Sequence, residues 1–389
     1  MTQTLIIKTI DSTDNQGIDQ FIRFPYTLYK GNPLWGNPLD EDVKKRITPT
    51  LNPYLQKGDF QLWIVQDESK TIVGRIAAFA PFKEKIGQLG FFECTENYSV
   101  AKLLFDTVKK WMLNHKMEAI DGPVNFGMRD EFWGCLVEGE YEPVYNMPYN
   151  PPYYKEYFEK YGFLNYFNQI TYLRPLELGI LHPLVTRAGR RILKNKDFTV
   201  HTIGKDDPLL PSYFRDIYNN AWAEFDGVPP ITLEEANKQM AMIKPIIDKR
   251  LLIFGFYKAQ PISFFIMMPD IGQIFKRFNG KFGWWEKLKF FFLFKQGKSI
   301  DRVIGRIFGV IPEFQGKGME AAMVVHFEDI VSQPDFPYKT LELNWIGDFN
   351  PTMMKVSKMI GGTEHKKHTT YRLPIVDHFD FHRAKVVNK

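Results

Sequence analysis

The segment Phe308-Gly309-Val310-Ile311-Pro312-Glu313-Phe314-Gln315-Gly316-Lys317-Gly318-Met319 holds the sharpest chemical pattern in the chain. A strand-like run, Val303 to Val310, leads into two glycines one residue apart. Helical spacing of apolar residues then begins at Met319 and continues through Ala322, Met323, His326, Phe327 and Ile330. Such a turn collects unpaired backbone N–H groups at a helix start, where the helix dipole adds positive potential. That is an anion site suited to a phosphate or pyrophosphate, and Gly316 and Gly318 let a ligand approach the backbone closely. The turn is neither a GxxxxGK[ST] phosphate loop nor a GxGxxG fingerprint. HExxH, GxSxG and paired-cysteine spacings are absent too, which removes metalloprotease and serine-hydrolase chemistry. His378, Asp380 and His382 are scattered near the end of the chain without ligand spacing, so no metal site is expected.

The elements that position this turn occur twice. Asn150-Pro151, Gly162 and Thr171-Tyr172-Leu173-Arg174-Pro175 are matched by Asn350-Pro351, Gly361 and Thr370-Tyr371-Arg372-Leu373-Pro374. In both places Asn should cap a helix with Pro in its first turn, Gly should end it, and a strand should follow. Upstream, strand pairs Leu62–Val65/Thr71–Phe79 and Leu251–Tyr257/Ile262–Met268 correspond. Each pair precedes another strand, an amphipathic helix and a short strand, near Ala119–Gly122 and Thr340–Trp345. Two α/β units follow, 1–178 and 179–389, each a mixed, mainly antiparallel sheet flanked by helices. The first lacks the glycine turn. Its corresponding stretch, Phe91-Phe92-Glu93-Cys94-Thr95-Glu96-Asn97-Tyr98, is expected to be an acidic loop that repels a polyphosphate.

Composition narrows the setting. The 389 residues are 44% hydrophobic and 24% charged, with 34 Phe, which excludes wholesale disorder. Two cysteines, Cys94 and Cys135, exclude a disulfide framework. No basic-then-apolar secretion signal and no 18-residue apolar run is present, so the chain reads as cytoplasmic. Net charge is +5, but Gly272–Lys298 alone carries seven basic residues against Glu286, a local +6, leaving −1 elsewhere. A nucleic-acid partner is therefore not expected.

The run Val310 to Gly318, placed between a strand and a helix, resembles the Gln/Arg-x-x-Gly-x-Gly/Ala motif of the GNAT superfamily of acyl-CoA N-acyltransferases. In the second half the likeness extends from Leu251 to Leu373, and the whole chain resembles a tandem GNAT protein with one working unit. The resemblance implies direct attack of an amine, from a small molecule or peptide, on the thioester of acyl-CoA or acetyl-CoA. It implies that Val310 and Ile311 bind pantetheine and polarise the carbonyl. Gln315, Gly316, Lys317, Gly318 and Met319 would hold the diphosphate, with Asn350 near the pantetheine arm. Glu342 or Asp348 would serve as base and Tyr371 as the acid for the thiolate, while Trp222, Glu224 and Asp226 would meet the acceptor. Two departures stand out: Glu320 occupies the motif's last small position, and Ser357 stands near the family's helix tyrosine. An acyl-CoA sensor without turnover and an aminoacyl-tRNA-dependent transferase remain open alternatives.

Phe275 to Lys298 carries nine aromatics interleaved with its basic residues. It is too short to span a membrane. Two readings stay open for it: packing on the core with lysines in water, or peripheral contact with an acyl chain or an anionic membrane surface.

Overall fold

The computed structural model describes residues 4–127, 131–222 and 230–387. The first half runs β1 (Ile6–Ile10), α1 (Asn15–Leu28), α2 (Asp40–Ile47), β2 (Gly58–Gln66), β3 (Ile72–Pro81), β4 (Ile86–Cys94) and α3 (Tyr98–Asn114). It continues with β5 (Ala119–Gly122), β6 (Cys135–Glu138), α4 (Tyr153–Tyr161) and β7 (Leu164–Pro175). An added helix, α5 (Pro183–Leu193), opens the second half. There follow β8 (Phe198–Thr202), α6 (Leu210–Trp222), α7 (Leu233–Ile243), β9 (Leu252–Tyr257), β10 (Gln260–Pro269), α8 (Gly272–Phe275) and α9 (Trp284–Lys295). The chain ends with β11 (Arg302–Val310), α10 (Met319–Val331), β12 (Thr340–Gly347), α11 (Pro351–Met359) and β13 (Thr363–Pro374). The order of strands and helices read for the repeat recurs in both halves, with β6 added in the first and α5, α8 and α9 in the second.

All strands form one sheet in the order β1-β2-β3-β4-β5-β13-β7-β12-β11-β10-β9-β8, with β6 on β13. The centre of that order is unexpected from the repeat: each half's last strand pairs with the other half. β13 lies antiparallel to β5 of the first half, Tyr371 opposite Gly122. β7 lies antiparallel to β12 of the second, Leu343 opposite Tyr172. The two exchanged strands also pair with each other from Thr363/Leu173 to Arg372/Leu164. Ion pairs fasten both. Arg372 grips Asp121 of β5 with Nε and Nη2 at 2.6 and 2.8 Å, and the buried Arg174 of β7 pairs with Glu328 of α10.

Local signals were right in most places and wrong in two. Asn350 caps α11, its side chain accepting the Met353 N–H at 3.1 Å with Pro351 in the first turn. Asn150 does not cap α4; its Oδ1 accepts the Leu136 N–H at 2.9 Å, because the first half holds the extra strand β6 beside it. The acidic stretch after Phe91 is strand as far as Cys94, not loop, and Asn97 caps α3 directly afterwards through the Ser99 N–H. Glu93 therefore points into the protein rather than at a phosphate.

Because β7 and β13 are shared, a cut after Leu178 leaves each half with an unpaired central edge, a template for aggregation. We expect the segments 1–178 and 179–389 to be insoluble when expressed singly and to co-purify as one cooperatively melting species when expressed together. A monomeric 179–389 segment with a sharp thermal transition would show the exchange to be dispensable.

Candidate functional site

In the second half β11 and β12 run parallel, paired from Arg302/Thr340 to Gly305/Leu343, and then part. A register shift against β10 falls between Ile307 and Gly305, so a bulge at Arg306 turns β11 away from its neighbour where the parting begins. Ile311 donates its N–H to Ile262 O at 2.9 Å on the β10 side. By the alternation of an antiparallel ladder, the amides of Val310 and Phe308 face the open edge instead. Of the two residues singled out for carbonyl polarisation, Val310 thus has an available N–H and Ile311 does not. Phe308 escaped the sequence reading, although period-two counting back from Val310 finds it.

Beyond β11 the glycine turn folds tightly. Gly316 and Gly318 take left-handed φ of 69° and 98°, a conformation that favours glycine. Gln315 Nε2 donates to Val310 O at 2.9 Å, tying the turn to the strand. The N–H groups of Gly318, Met319, Glu320 and Ala321 meet no acceptor among the described residues, the ordinary condition of a helix start. The Met319 side chain is core, seated where Gly255 has no Cβ. Lys317 is exposed. The Glu320 carboxylate accepts the Gly316 N–H at 2.9 Å, so one donor of the turn is already engaged by an acid of the chain. Helix α5 lies over this region; Gly189 comes against the Ala321 carbonyl, and Ile192 against Gly318.

The matching places of the first half are closed. There Val124 N–H continues the β5 side onto Leu89 O at 2.8 Å. Helices α3 and α4 are stapled by Phe105–Phe158 and Tyr98–Tyr157 ring contacts and by a 2.8 Å Tyr161–Asp106 hydrogen bond. Among the described residues no hydrogen bond, ion pair or ring contact joins α10 to α11. Cleft and donors therefore coincide only in the second half.

The acids named from the sequence are both held by cations. Glu342, 1% exposed on β12, pairs with Lys366 Nζ at 2.7 Å and faces Arg302 Nη1 at 3.5 Å. Arg302 in turn grips the fully buried Asp270, at 2.9 and 2.6 Å, and donates to the Glu142 and Pro143 carbonyls. Burial lowers the Lys366 ammonium from its usual range against the pull of Glu342. Asp348, after β12, accepts from Asn168 at 2.9 Å and from Arg383 of the C-terminal segment at 2.6 Å.

Strand exchange carries Tyr371 away from the glycine turn. It stacks on Phe158 in the first-half core and donates to Glu159 at 3.3 Å. The residue in its repeat position beside α11 is Tyr172, buried with no hydrogen-bond partner for its hydroxyl. Asn350 serves as helix cap. Trp222 ends α6, and Glu224 and Asp226 lie outside the described residues.

A second cavity, unforeseen from the sequence, lies in the first half against β4. Tyr26, Trp35, Phe91, Phe132 and Tyr149 line it, with Asp40, Arg75 and Glu93 as its charged groups. Glu93 accepts from Tyr29 and, at 2.8 Å, from Tyr154, and faces Arg75 at 3.8 Å. Burial raises its carboxyl from the usual range.

No model of a known protein family matches the chain. It is 24% identical over 375 residues to a bacterial ceramide synthase of Caulobacter vibrioides, covering 91% of this chain and 94% of that one. Protein YghO of Escherichia coli K12 is 23% identical over 368 residues, covering 91% and 92%. Among solved structures, a tandem GNAT protein from the clavulanic acid biosynthesis pathway superposes with a TM-score of 0.55, at 10% identity over 97% of this chain and 100% of that one. A GCN5-related N-acetyltransferase from Sphaerobacter thermophilus gives 0.51, at 10% identity and 98% coverage of both.

The buried polar groups make stability depend on pH. Burial holds the His368 imidazole down at about 4, and burial with Lys366 and Arg302 brings His365 to about 4. An unfolded histidine protonates near pH ~6.5. Both folded values lie lower, so the stability from keeping these rings neutral is complete above that pH and falls as pH drops toward about 4. The urea midpoint should decline across this acid range, and less so in His368→Gln; an equal decline in the variant would remove His368 from the account.

Proposed function

We propose, on the premise of the tandem GNAT fold, that this protein transfers an acyl group from a CoA thioester to a primary amine in the second half. The observation that carries the reading is the coincidence there of parted parallel strands, outward amides at Phe308 and Val310, and four unpaired N–H groups at the start of α10. The donors fit an anionic diphosphate and a developing oxyanion by charge and by preorganisation. The acyl thioester supplies the activated carbonyl. The chain's own parts are to hold it against the outward amides and to accept the amine's proton. Asp348 is the base we assign to that proton, since it lies in the turn between β12 and α11 and its side chain, although held by Arg383, is 21% exposed. Glu342, clamped by Lys366 and Arg302, is assigned a structural part.

The similarity to a protein named as a ceramide synthase points to the substrate class. A ceramide is an amide of a long-chain amino alcohol and a fatty acid, so we propose long-chain acyl donors and a lipid amine as acceptor. The aromatic cavity of the first half is an apolar space consistent with such chains. A sensor that holds acyl-CoA without turnover is favoured by one observation, the Glu320 carboxylate on Gly316 N–H.

Thiol release from acyl-CoA of increasing chain length, with long-chain amino alcohols as acceptors, tests the reading. Release that rises with chain length and needs the amine is expected. Binding without release across the acceptor panel would favour the sensor. Asp348→Asn should lower turnover about a hundredfold or more, as loss of a general base does. Glu320→Gln should tighten CoA about two- to fivefold by removing a carboxylate from the anion site; unchanged affinity would place the diphosphate elsewhere.

A further inference from the structure

The strongest feature that this function leaves unexplained is α9. None of its 12 residues is buried, yet it is among the most apolar helices in the chain. Its inner side rests on a small aromatic cluster, Phe290 lying 5.1 Å from Phe275 and 5.5 Å from Phe294. Its outer side has no covering. Trp284 and Trp285 are 71% and 76% exposed, Phe291 and Phe292 64% and 63%. At about 100° per residue these four fall with Leu288 and Lys295 on one stripe. Lys287 and Lys289 flank that stripe on opposite sides. A helix apolar on both faces is expected to be buried on both.

The helix is mounted on a fixed base. Asp40 N–H donates to Gly280 O at 2.9 Å, Arg23 donates to Asn279 O at 3.1 Å, and Lys276 pairs with Glu142 at 2.7 Å. Gly280 approaches Tyr26 and Asp40, which line the first-half cavity. The outer stripe is therefore displayed on a platform beside that cavity.

We propose that this platform docks on an anionic lipid bilayer, α9 lying flat with its Trp–Phe stripe among the acyl chains and its lysines at the phosphates. Charge selects this occupant. Gly272–Lys298 carries a local +6, and among the described residues no carboxylate pairs with Lys281, Lys287, Lys289, Lys295 or Lys298. Two copies meeting through this face would bring like charges together, whereas an anionic surface neutralises them. Length sets the orientation: 12 residues extend about 18 Å, short of the roughly 30 Å hydrocarbon core. No helix among the described residues is long and apolar enough to cross a membrane. Lysines bordering an apolar stripe can lay their stems along it and keep their ammonium groups at headgroup level.

Co-sedimentation of the full chain with phosphatidylglycerol/phosphatidylcholine vesicles, and with phosphatidylcholine alone, tests this. Binding to the anionic vesicles at low salt is expected, weakened by high salt and by about tenfold or more in Lys287→Glu/Lys289→Glu. Trp284→Ser/Phe291→Ser should lose binding while keeping the wild-type melting temperature, since neither residue is buried. Absence of sedimentation at low salt, or equal binding by both variants, overturns the proposal. So does a concentration-dependent dimer that Trp284→Ser/Phe291→Ser dissolves, without vesicle binding, which would make the stripe an interface between copies. Free CoA affinity, measured without vesicles, should be unchanged in both variants, so a failure here is separable from a failure of the proposed function.

Discussion

The hydrogen-bond ladder between β7 and β13 is the constraint on which the remaining architecture depends. Those two strands close the gap between β5 and β12, and each is supplied by the half that does not hold the gap it fills. A parallel pair such as β11/β12 can part at one end only if the outer strand is held from its other side. β7 does this for β12, from Thr340/Pro175 to Gly347/Gln169 with one irregularity. The open cleft of the second half is thus kept open by a strand from the first. The first half therefore contributes directly to the strand arrangement around the cleft.

Burying charge at this junction has a large desolvation cost unless the charges balance. Asp270 and Glu342 supply two negatives, and Arg302 and Lys366 two positives, while the Glu142 and Pro143 carbonyls and the Tyr145 and Gly272 amides absorb leftover hydrogen-bonding capacity. The group spans β11, β12, β13, the end of β10 and the segment before α4. It fixes the spacing of the strands that border the cleft. Within this group the Glu342 carboxylate is paired with Lys366 and faces Arg302.

The two halves show how one scaffold is opened or shut by side chains. Phe158 fills the space between α4 and Tyr371 in the first half, while its repeat partner Ser357 turns inward to the Met353 carbonyl and leaves Tyr172 without a ring to stack on. Tyr161, Tyr157 and Phe158 lock α4 to α3. The corresponding positions on α11 and at its end are Val356, Ser357 and Ile360, and among the described residues they make no such lock onto α10. The electrostatics diverge in parallel, an acid and tyrosines in one half against an unpaired helix start in the other.

What the sequence determined by itself was local. Periodicity, Asn-Pro starts and glycine stops set the order of elements and the repeat, because these signals act over a few residues, even though the cap itself formed at Asn350 and not at Asn150. The glycine turn was legible for the same reason: a left-handed φ at Gly316 and Gly318 restricts residue type directly. What only the tertiary structure decided was partnership. Backbone ladders are nearly indifferent to side-chain identity, so nothing in two similar strands revealed that β7 and β13 would be exchanged, and Tyr371 went with its strand. The roles of Glu342, Asp348 and Asn150 depended on Lys366, Arg383 and Leu136, residues from 14 to 35 positions away that come close only on folding. The first-half cavity and the bare face of α9 were hidden likewise, since exposure belongs to the packed molecule and not to the composition of a segment.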